Sequence, residues 1–266
     1  MFIKMATEPI PIRVFALYNL VADKKAIEKS KLRKLMEPEE LDQDKTSYFS
    51  QVLSTALELG IVVEHDGSMI EPSVDKKILK SIGDFRFYSA SQLEKFADGD
   101  FYRVTGTILN CNEEIFTWGS ISDSPFRAQL KERLGLNLDD KAMRGWRFWA
   151  QFLGFGYMNG MYFSPNAYVF VRDTLSKCNL KKNMSIPFPA FLAEIGVFYK
   201  ELIKVSPEKH YLNIAFSSAL RQLHENGEIE LQYNKDRQDS MLLYPLQGAG
   251  YFHEPVTNII YKGVKL

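Results

Sequence analysis

Cysteine is nearly absent from this chain: Cys111 and Cys178 are the only two, and no Cys-x-x-Cys pair exists. Their scarcity excludes a disulfide framework and a cysteine-rich zinc site, leaving two thiols that are buried or incidental. Long apolar runs are missing too, since none approaches the roughly 18 residues that a membrane span requires. The opening MFIKMATEPIPIR is short and broken by proline, which does not suit a secretory signal, so a cytoplasmic protein without membrane partners is expected. There is no excess of either charge: 33 basic residues balance 33 acidic ones, and each third of the chain stays near neutrality. A chain dominated by nonspecific duplex binding is usually more basic.

Catalytic signatures are also wanting. His65, His210, His224 and His253 are scattered, with no His-x-x-x-His pair and no Gly-x-Ser-x-Gly elbow. The adjacent carboxylates Glu113-Glu114 and Asp139-Asp140 would point apart on a strand, so neither makes an acid/base pair by itself. Gly154-Phe155-Gly156-Tyr157-Met158-Asn159-Gly160 superficially resembles a phosphate loop. It closes a helix and enters a hairpin, however, whereas a phosphate loop follows a strand and opens a helix. No enzyme activity, metal or cofactor is expected.

What is present is one phrase used three times: an amphipathic helix ending at glycine, an apolar run, a tight turn and a second run. The copies are Phe49 to Pro72, Met143 to Pro165, and the stretch from Phe216 that reads FSSALRQLHENGEIELQYNKDRQDSMLLY. Counting back from Gly60, Gly154 and Gly227, position four holds Ala56, Ala150 and Leu223. Position eight holds Val52, Trp146 and Ala219, and position eleven holds Phe49, Met143 and Phe216. These spacings put each trio on one helical face. A glycine just past such a face can take the left-handed cap. Asp66-Gly67 and Asn159-Gly160 are hairpin turns, and Asn234-Lys235-Asp236 opens a longer tip.

Each copy reads as the last helix and β-wing of a winged helix-turn-helix unit. The fold class is therefore mainly α with small β-hairpins (α+β), in tandem units at 1–97, 98–178 and 179–266. In the first unit, Ile12 to Val21 forms a helix with the stripe Val14, Leu17, Tyr18 and Val21. Ser30 can cap a second helix that stops near Pro38, and Thr46 or Ser47 opens the third. Residues 74–100, with Ile78, Leu79, Ile82, Phe85, Leu93 and Phe96, read as connecting helices. The middle unit starts near Gly99-Asp100, turns between Gly119 and Pro125, and continues with a helix from Phe126 to Leu134. Cys178 to Pro189, with Pro187-x-Pro189, suits a linker. The last unit has a helix from about Phe191 to Val205, a start signal at Pro207, and a terminal strand candidate at Thr257 to Tyr261.

Binding chemistry is better represented than catalysis. Lys24, Lys25, Lys29, Lys31, Arg33 and Lys34 form a basic segment broken only by Glu28 and followed by the acidic stretch EPEELDQD; it suits phosphate contact or a solvated helix face. Off the apolar face, the first third-helix offers Ser47, Tyr48, Gln51 and Thr55. The second offers Lys141, Arg144, Arg147 and Gln151. The last offers Ser217, Ser218, Arg221 and Gln222, with Lys235 and Arg237 at the wing tip. Gln pairs with adenine edges and Arg with guanine or phosphate. Trp146, Trp149 and Phe152 share one face and read as core.

The stretches PIRVFALYNLVA, RGWRFWAQFLGFGYMNGMYFSPNA and FSSALRQLHENGEIEL make the chain resemble the DpdG proteins, encoded in clusters for deazaguanine modification of DNA and associated restriction. The resemblance covers most of the length and carries no active-site residues. It implies a component of a bacterial antiviral defence or restriction system, acting with larger ATPase or nuclease subunits. Two roles follow: a DNA-binding component contacting double-stranded DNA through third helices and wings, or a scaffold whose winged-helix surfaces bind protein.

Overall fold

The computed structural model describes residues 1–38, 47–196, 202, 211–237, 239–246 and 252–264. Thr46, Val205 and Pro207, named above as helix signals, lie outside them. The fold is mixed α+β, with helices interleaved with small antiparallel sheets of two or three strands. Two compact units result, one of residues 1–102 and 136–152, the other of 103–135 and 153–266. These units cut across the expected boundaries at 97 and 178, because the middle stretch contributes to both. No described helix is long and apolar enough to cross a membrane.

The first unit opens with α1 (Pro11–Lys24), whose Pro11 occupies the first turn, where a missing amide costs nothing. Its expected stripe Val14, Leu17, Tyr18 and Val21 is fully buried. Then come β1 (Ile27–Glu28), α2 (Lys29–Met36), α3 (Phe49–Glu58), β2 (Val62–His65) and β3 (Met69–Pro72). β3 lies between its two partners, so the sheet order is β1-β3-β2, antiparallel throughout. Ser30 does not cap α2, which begins one residue before it. α4 (Ile82–Ser91) is capped by Ser81, whose hydroxyl accepts from the Asp84 amide at 3.1 Å while the Asp84 carboxylate accepts from the Ser81 amide. Of the connecting residues, Leu79, Phe85 and Leu93 are buried, whereas Ile78 and Ile82 are exposed.

Next come α5 (Asp100–Asn110), within which the chain passes into the second unit, and α6 (Ser124–Leu134). The chain returns to the first unit for α7 (Asp140–Phe152). There the N-terminal stretch lies along α7: the Trp149 indole donates to the Pro9 carbonyl at 2.6 Å, and the Thr7 hydroxyl to the Lys141 carbonyl at 2.9 Å. Trp146 and Trp149 are fully buried.

The second unit continues with the hairpin β4 (Gly156–Asn159) and β5 (Tyr162–Pro165), then α8 (Tyr168–Leu175), β6 (Ser185–Pro187), α9 (Phe188–Gly196), α10 (Ile214–Glu225), β7 (Ile229–Gln232) and β8 (Asn258–Tyr261). The linker expected between Cys178 and Pro189 is corrected here, since Pro187 ends β6 and Pro189 lies in the first turn of α9. Both prolines are tolerated because β6 is an edge strand, in the order β6-β8-β7, and a first-turn amide needs no partner. The expected terminal strand forms and is the partner of β7. Met241 to Tyr244, the expected second wing run, instead makes isolated bridges, Met241 to Val256 and Leu242 to Tyr211.

All nine residues counted back from the three glycines are buried, and Gly60, Gly154 and Gly227 have φ of +66°, +82° and +69°. At Gly60 the cap is complete: Ile61 N donates to Ala56 O at 3.1 Å and Gly60 N to Leu57 O at 2.9 Å. The same two bonds recur at Gly227, from Glu228 N to Leu223 O at 2.9 Å and from Gly227 N to His224 O at 3.0 Å.

Candidate nucleic-acid interface

A cleft of about 1180 Å³ opens in the first unit between α2, α3 and the β2-β3 hairpin. Lys29, Arg33, Lys34 and Glu37 line one wall, Ser50, Leu53, Ser54 and Leu57 the other, and Gly67 to Met69 close the end. On the far side of α3 a smaller hollow of about 400 Å³ runs along Ile3, Lys4, Met5 and Ala6 against Ser50, Gln51, Ser54 and Glu58. α3 therefore stands as a polar ridge between two depressions within one unit.

Half of the basic segment is already engaged. Lys29 pairs with Glu64 at 2.9 Å, Lys31 with Glu28 at 3.2 Å, and Arg33 with Glu37 at 3.3 Å. Lys24, Lys25 and Lys34 are exposed, and no carboxylate among the described residues pairs with them. Lys4, which carries no signal in the sequence, is exposed beside α3 as well. The hairpin tip, His65 to Ser68, carries no lysine or arginine. The exposed lysines of this region thus lie on α2, on its approach and at Lys4.

Glu37 organises the start of α3. Its carboxylate accepts from the amides of Tyr48 and Phe49 at 2.6 and 2.8 Å and from the Ser47 hydroxyl at 3.0 Å. An acid at a helix N-terminus satisfies open amides and complements the helix dipole. The expectation that Ser47 opens the helix is corrected: the capping oxygens come from the end of α2, and Ser47 is a donor to them. Tyr48 is committed inward too, with the Arg13 guanidinium 4.4 Å above its ring and its hydroxyl donating to the Met36 carbonyl. Burial alone would raise the Glu37 pKa, but the bonds from Phe49, Ser47, Tyr48 and Arg33 outweigh it and hold the carboxyl below its usual range. A depressed folded pKa gives stability that is present above the unfolded value and lost as pH falls through the folded one. Glu37→Ala is expected to cost about 1–2 kcal/mol at neutral pH, a typical loss for a cap. Glu37→Gln should flatten the acid limb of a stability–pH curve, and an unchanged limb would refute this role.

The other expected contacts divide sharply. Gln51 is exposed, but Thr55 is fully buried, with its hydroxyl donating to the Gln51 carbonyl at 2.9 Å. On α7, Lys141 and Arg144 are exposed, Arg144 pairing with Asp140, whereas Arg147 is partly buried with its guanidinium 4.7 Å over the Phe148 ring. Arg221 is corrected from surface to core: it is 3% exposed, and its Nε donates to the Phe252 carbonyl at 3.2 Å. Ser217 is buried with it. Lys235 and Arg237 are exposed at the β7 end, Arg237 donating to Asn258 at 2.9 Å. Burial pushes the thiols of Cys111 and Cys178 up to about 12 and about 11, away from reactivity.

Sequence reasoning missed a buried ionic knot in the second unit. Glu228, 5% exposed, accepts from Arg172 Nε at 2.9 Å and from the Tyr168 hydroxyl at 3.0 Å. Arg172 and Tyr168 sit one turn apart on α8, and this spacing is the only signal the sequence held.

Fold and site together define an α+β protein of repeated helix–glycine–strand modules, with one polar helix ridge flanked by cations. The chain belongs to the DpdG-like family, whose family model matches residues 1–237. Comparison with curated proteins and with solved structures gives no match.

Proposed function

We propose that the chain is a noncatalytic recognition component of a bacterial defence or restriction system linked to deazaguanine modification of DNA, and that its first module binds double-stranded DNA. The observation that carries this reading is the order α1-β1-α2-α3-β2-β3 around a β1-β3-β2 sheet, with α3 raised between Lys4 and the α2 lysines. That order supports reading the module as a winged helix-turn-helix, in which the third helix would enter a major groove. The series α8-β6-α9-α10-β7-β8, with sheet order β6-β8-β7, repeats it and supports a tandem architecture. Membership of the DpdG-like family supports the link to such a system, and larger ATPase or nuclease subunits are the partners proposed with it.

The test is duplex binding at graded salt. Four open cations, Lys4, Lys24, Lys25 and Lys34, predict a slope of log K against log salt of roughly −3 to −4, at about −0.9 per neutralised phosphate. Replacing Lys24, Lys25 and Lys34 with alanine should bring the slope near about −1. Duplex that is not retained even at low salt would overturn the reading.

A protein-binding scaffold is the second reading, favoured by one observation. Tyr157 and Tyr162, 44% and 61% exposed, share the outer face of the β4-β5 hairpin. Tyrosine is enriched in protein interfaces. Copurification of the system's large subunits that is lost in Tyr157→Ala/Tyr162→Ala would support it.

A further inference from the structure

α3, α7 and α10 end at equivalent glycines, so their outward positions can be matched residue for residue. Ten, nine and six residues before the glycine stand Ser50, Gln51 and Ser54 on α3, Arg144, Gly145 and Phe148 on α7, and Ser217, Ser218 and Arg221 on α10. On α3 all three are exposed. On α7, Gly145 is buried beneath the chain's own N-terminal stretch: a Cβ there would collide with the Ala6 carbonyl.

On α10 the matching face is covered by residues of the segment that returns from β7 to β8. The Ser217 hydroxyl accepts from the Tyr244 amide at 2.8 Å, and Arg221 donates to the Phe252 carbonyl. The Phe252 ring meets His224 edge-on, with centroids 5.7 Å apart. The segment is pinned from its other side. Leu212 N donates to Leu242 O at 3.1 Å, while Met241 and Val256 exchange amide–carbonyl bonds at 3.0 and 2.9 Å. Leu243 and Tyr244 are buried. α10 thus has the polar residues of a surface helix and the burial of a core helix.

We infer that, of the three matched helices, α3 alone presents an open reading face, and that Ser50, Gln51 and Ser54 are the base-discriminating residues of this chain. The inference rests on the nucleic-acid reading proposed above. Three small or neutral side chains let the α3 backbone approach the groove floor closely. The Gln51 amide sets an N–H donor beside a carbonyl acceptor, the pair that matches N7 and the N6 amino group of adenine, and serine hydroxyls serve either role. With no arginine in the stripe, the bidentate contact to guanine is absent from it, so an A·T pair opposite Gln51 is the preferred feature. Lys4 on one side and Lys34 on the other stand where phosphates flanking a groove would pass.

The experiment selects from a pool of duplexes with a randomised core, using the full chain at low salt, and then measures the selected duplex against a scrambled one. Gln51→Ala should reduce that preference by about tenfold, in the range a bidentate base contact provides, with scrambled-duplex affinity held within about twofold. Ser50→Ala/Ser54→Ala should weaken it further. Ser218→Ala/Gln222→Ala on α10 should leave both affinities unchanged. The α3 substitutions lie at exposed positions, and matching melting curves confirm that each variant is folded. A preference untouched by the α3 variants, or lost in the α10 variant, overturns the inference while leaving duplex binding intact. Retention of no duplex from the pool overturns the nucleic-acid reading itself and this assignment with it.

Discussion

Replacing Glu228 with alanine is expected to lower the unfolding free energy by about 3 kcal/mol, the low end of the loss typical when a buried ion pair is broken from one side, because the Arg172 side chain left behind is 28% exposed. Glu228 follows the Gly227 cap directly, so it sits where α10 hands over to β7. Its side chain holds Arg172 and Tyr168 of α8, and its carbonyl accepts from the Lys262 amide at 2.9 Å beyond β8. One residue thereby fastens a helix to the junction of another helix and its sheet. The ion pair with Glu228 raises the Arg172 pKa, and burial, followed by that carboxylate, raises the Tyr168 hydroxyl, so both groups feel the charge. Arg172→Ala should cost about as much, because it strands the carboxylate, whereas Tyr168→Phe removes the bond its hydroxyl donates to Glu228 and the exposed one it accepts from Asn226 Nδ2, and should cost about 1–2 kcal/mol. Denaturant melts of the single variants and of Glu228→Ala/Arg172→Ala test the coupling. Additive losses, or a cost below about 1 kcal/mol for Glu228→Ala, would show that the carboxylate holds nothing together.

The knot also illustrates what periodicity reveals and what it hides. Gly60, Gly154 and Gly227, with the trios before them, were legible because a helical stripe followed by a left-handed cap is local information. β8 was legible as well, since Asn258 to Tyr261 is a short apolar run. Thr55 reads as an outward residue for a different reason. The N-terminal stretch covers a second side of α3, with the Phe2 amide donating to the Glu58 carboxylate at 2.9 Å, and a contact between residues so distant leaves no local pattern. The sequence does not single out Glu37, because a serine close to the helix start is the ordinary cap, while here the end of α2 delivers a carboxylate from eleven residues before Tyr48. Arg221 and Ser217 looked like surface residues by type. Their burial depends on Tyr244 and Phe252 of the returning segment, whose position only the folded second unit defines. β6 has too few residues for alternation to register, and its proline reads as a linker signal in sequence because only the sheet order makes the strand an edge.

Adding a single methyl group at Gly145 is expected to be the most damaging of the small changes in the first unit, at about 3 kcal/mol, the sum of a lost buried hydrogen bond and overpacking. In an exposed helix Gly→Ala gains up to about 1 kcal/mol by propensity, so the sign here is set by contact alone. The Ala6 carbonyl oxygen and carbon lie where the Cβ would go, and both are backbone atoms, which cannot swing aside as a side chain could. Relief requires residues 6 to 9 to lift from α7, which breaks the bonds from Thr7 to Lys141 and from Trp149 to Pro9. The Trp149 indole is fully buried, and leaving its N–H without an acceptor costs about 1–3 kcal/mol in addition to the lost packing. Gly60 provides the contrast. Nothing lies within 4 Å of an added Cβ there, and its penalty comes from a φ of +66°. Gly60→Ala should therefore cost about 1–2 kcal/mol and Gly60→Asn less, because asparagine tolerates the left-handed region. Gly145→Asn should be worse than Gly145→Ala, since size and not backbone conformation limits that position. Thermal melts of the four variants separate the two causes. A Gly145→Ala protein as stable as the parent, with Trp149 fluorescence unshifted, would mean that the N-terminal stretch does not hold its place on α7.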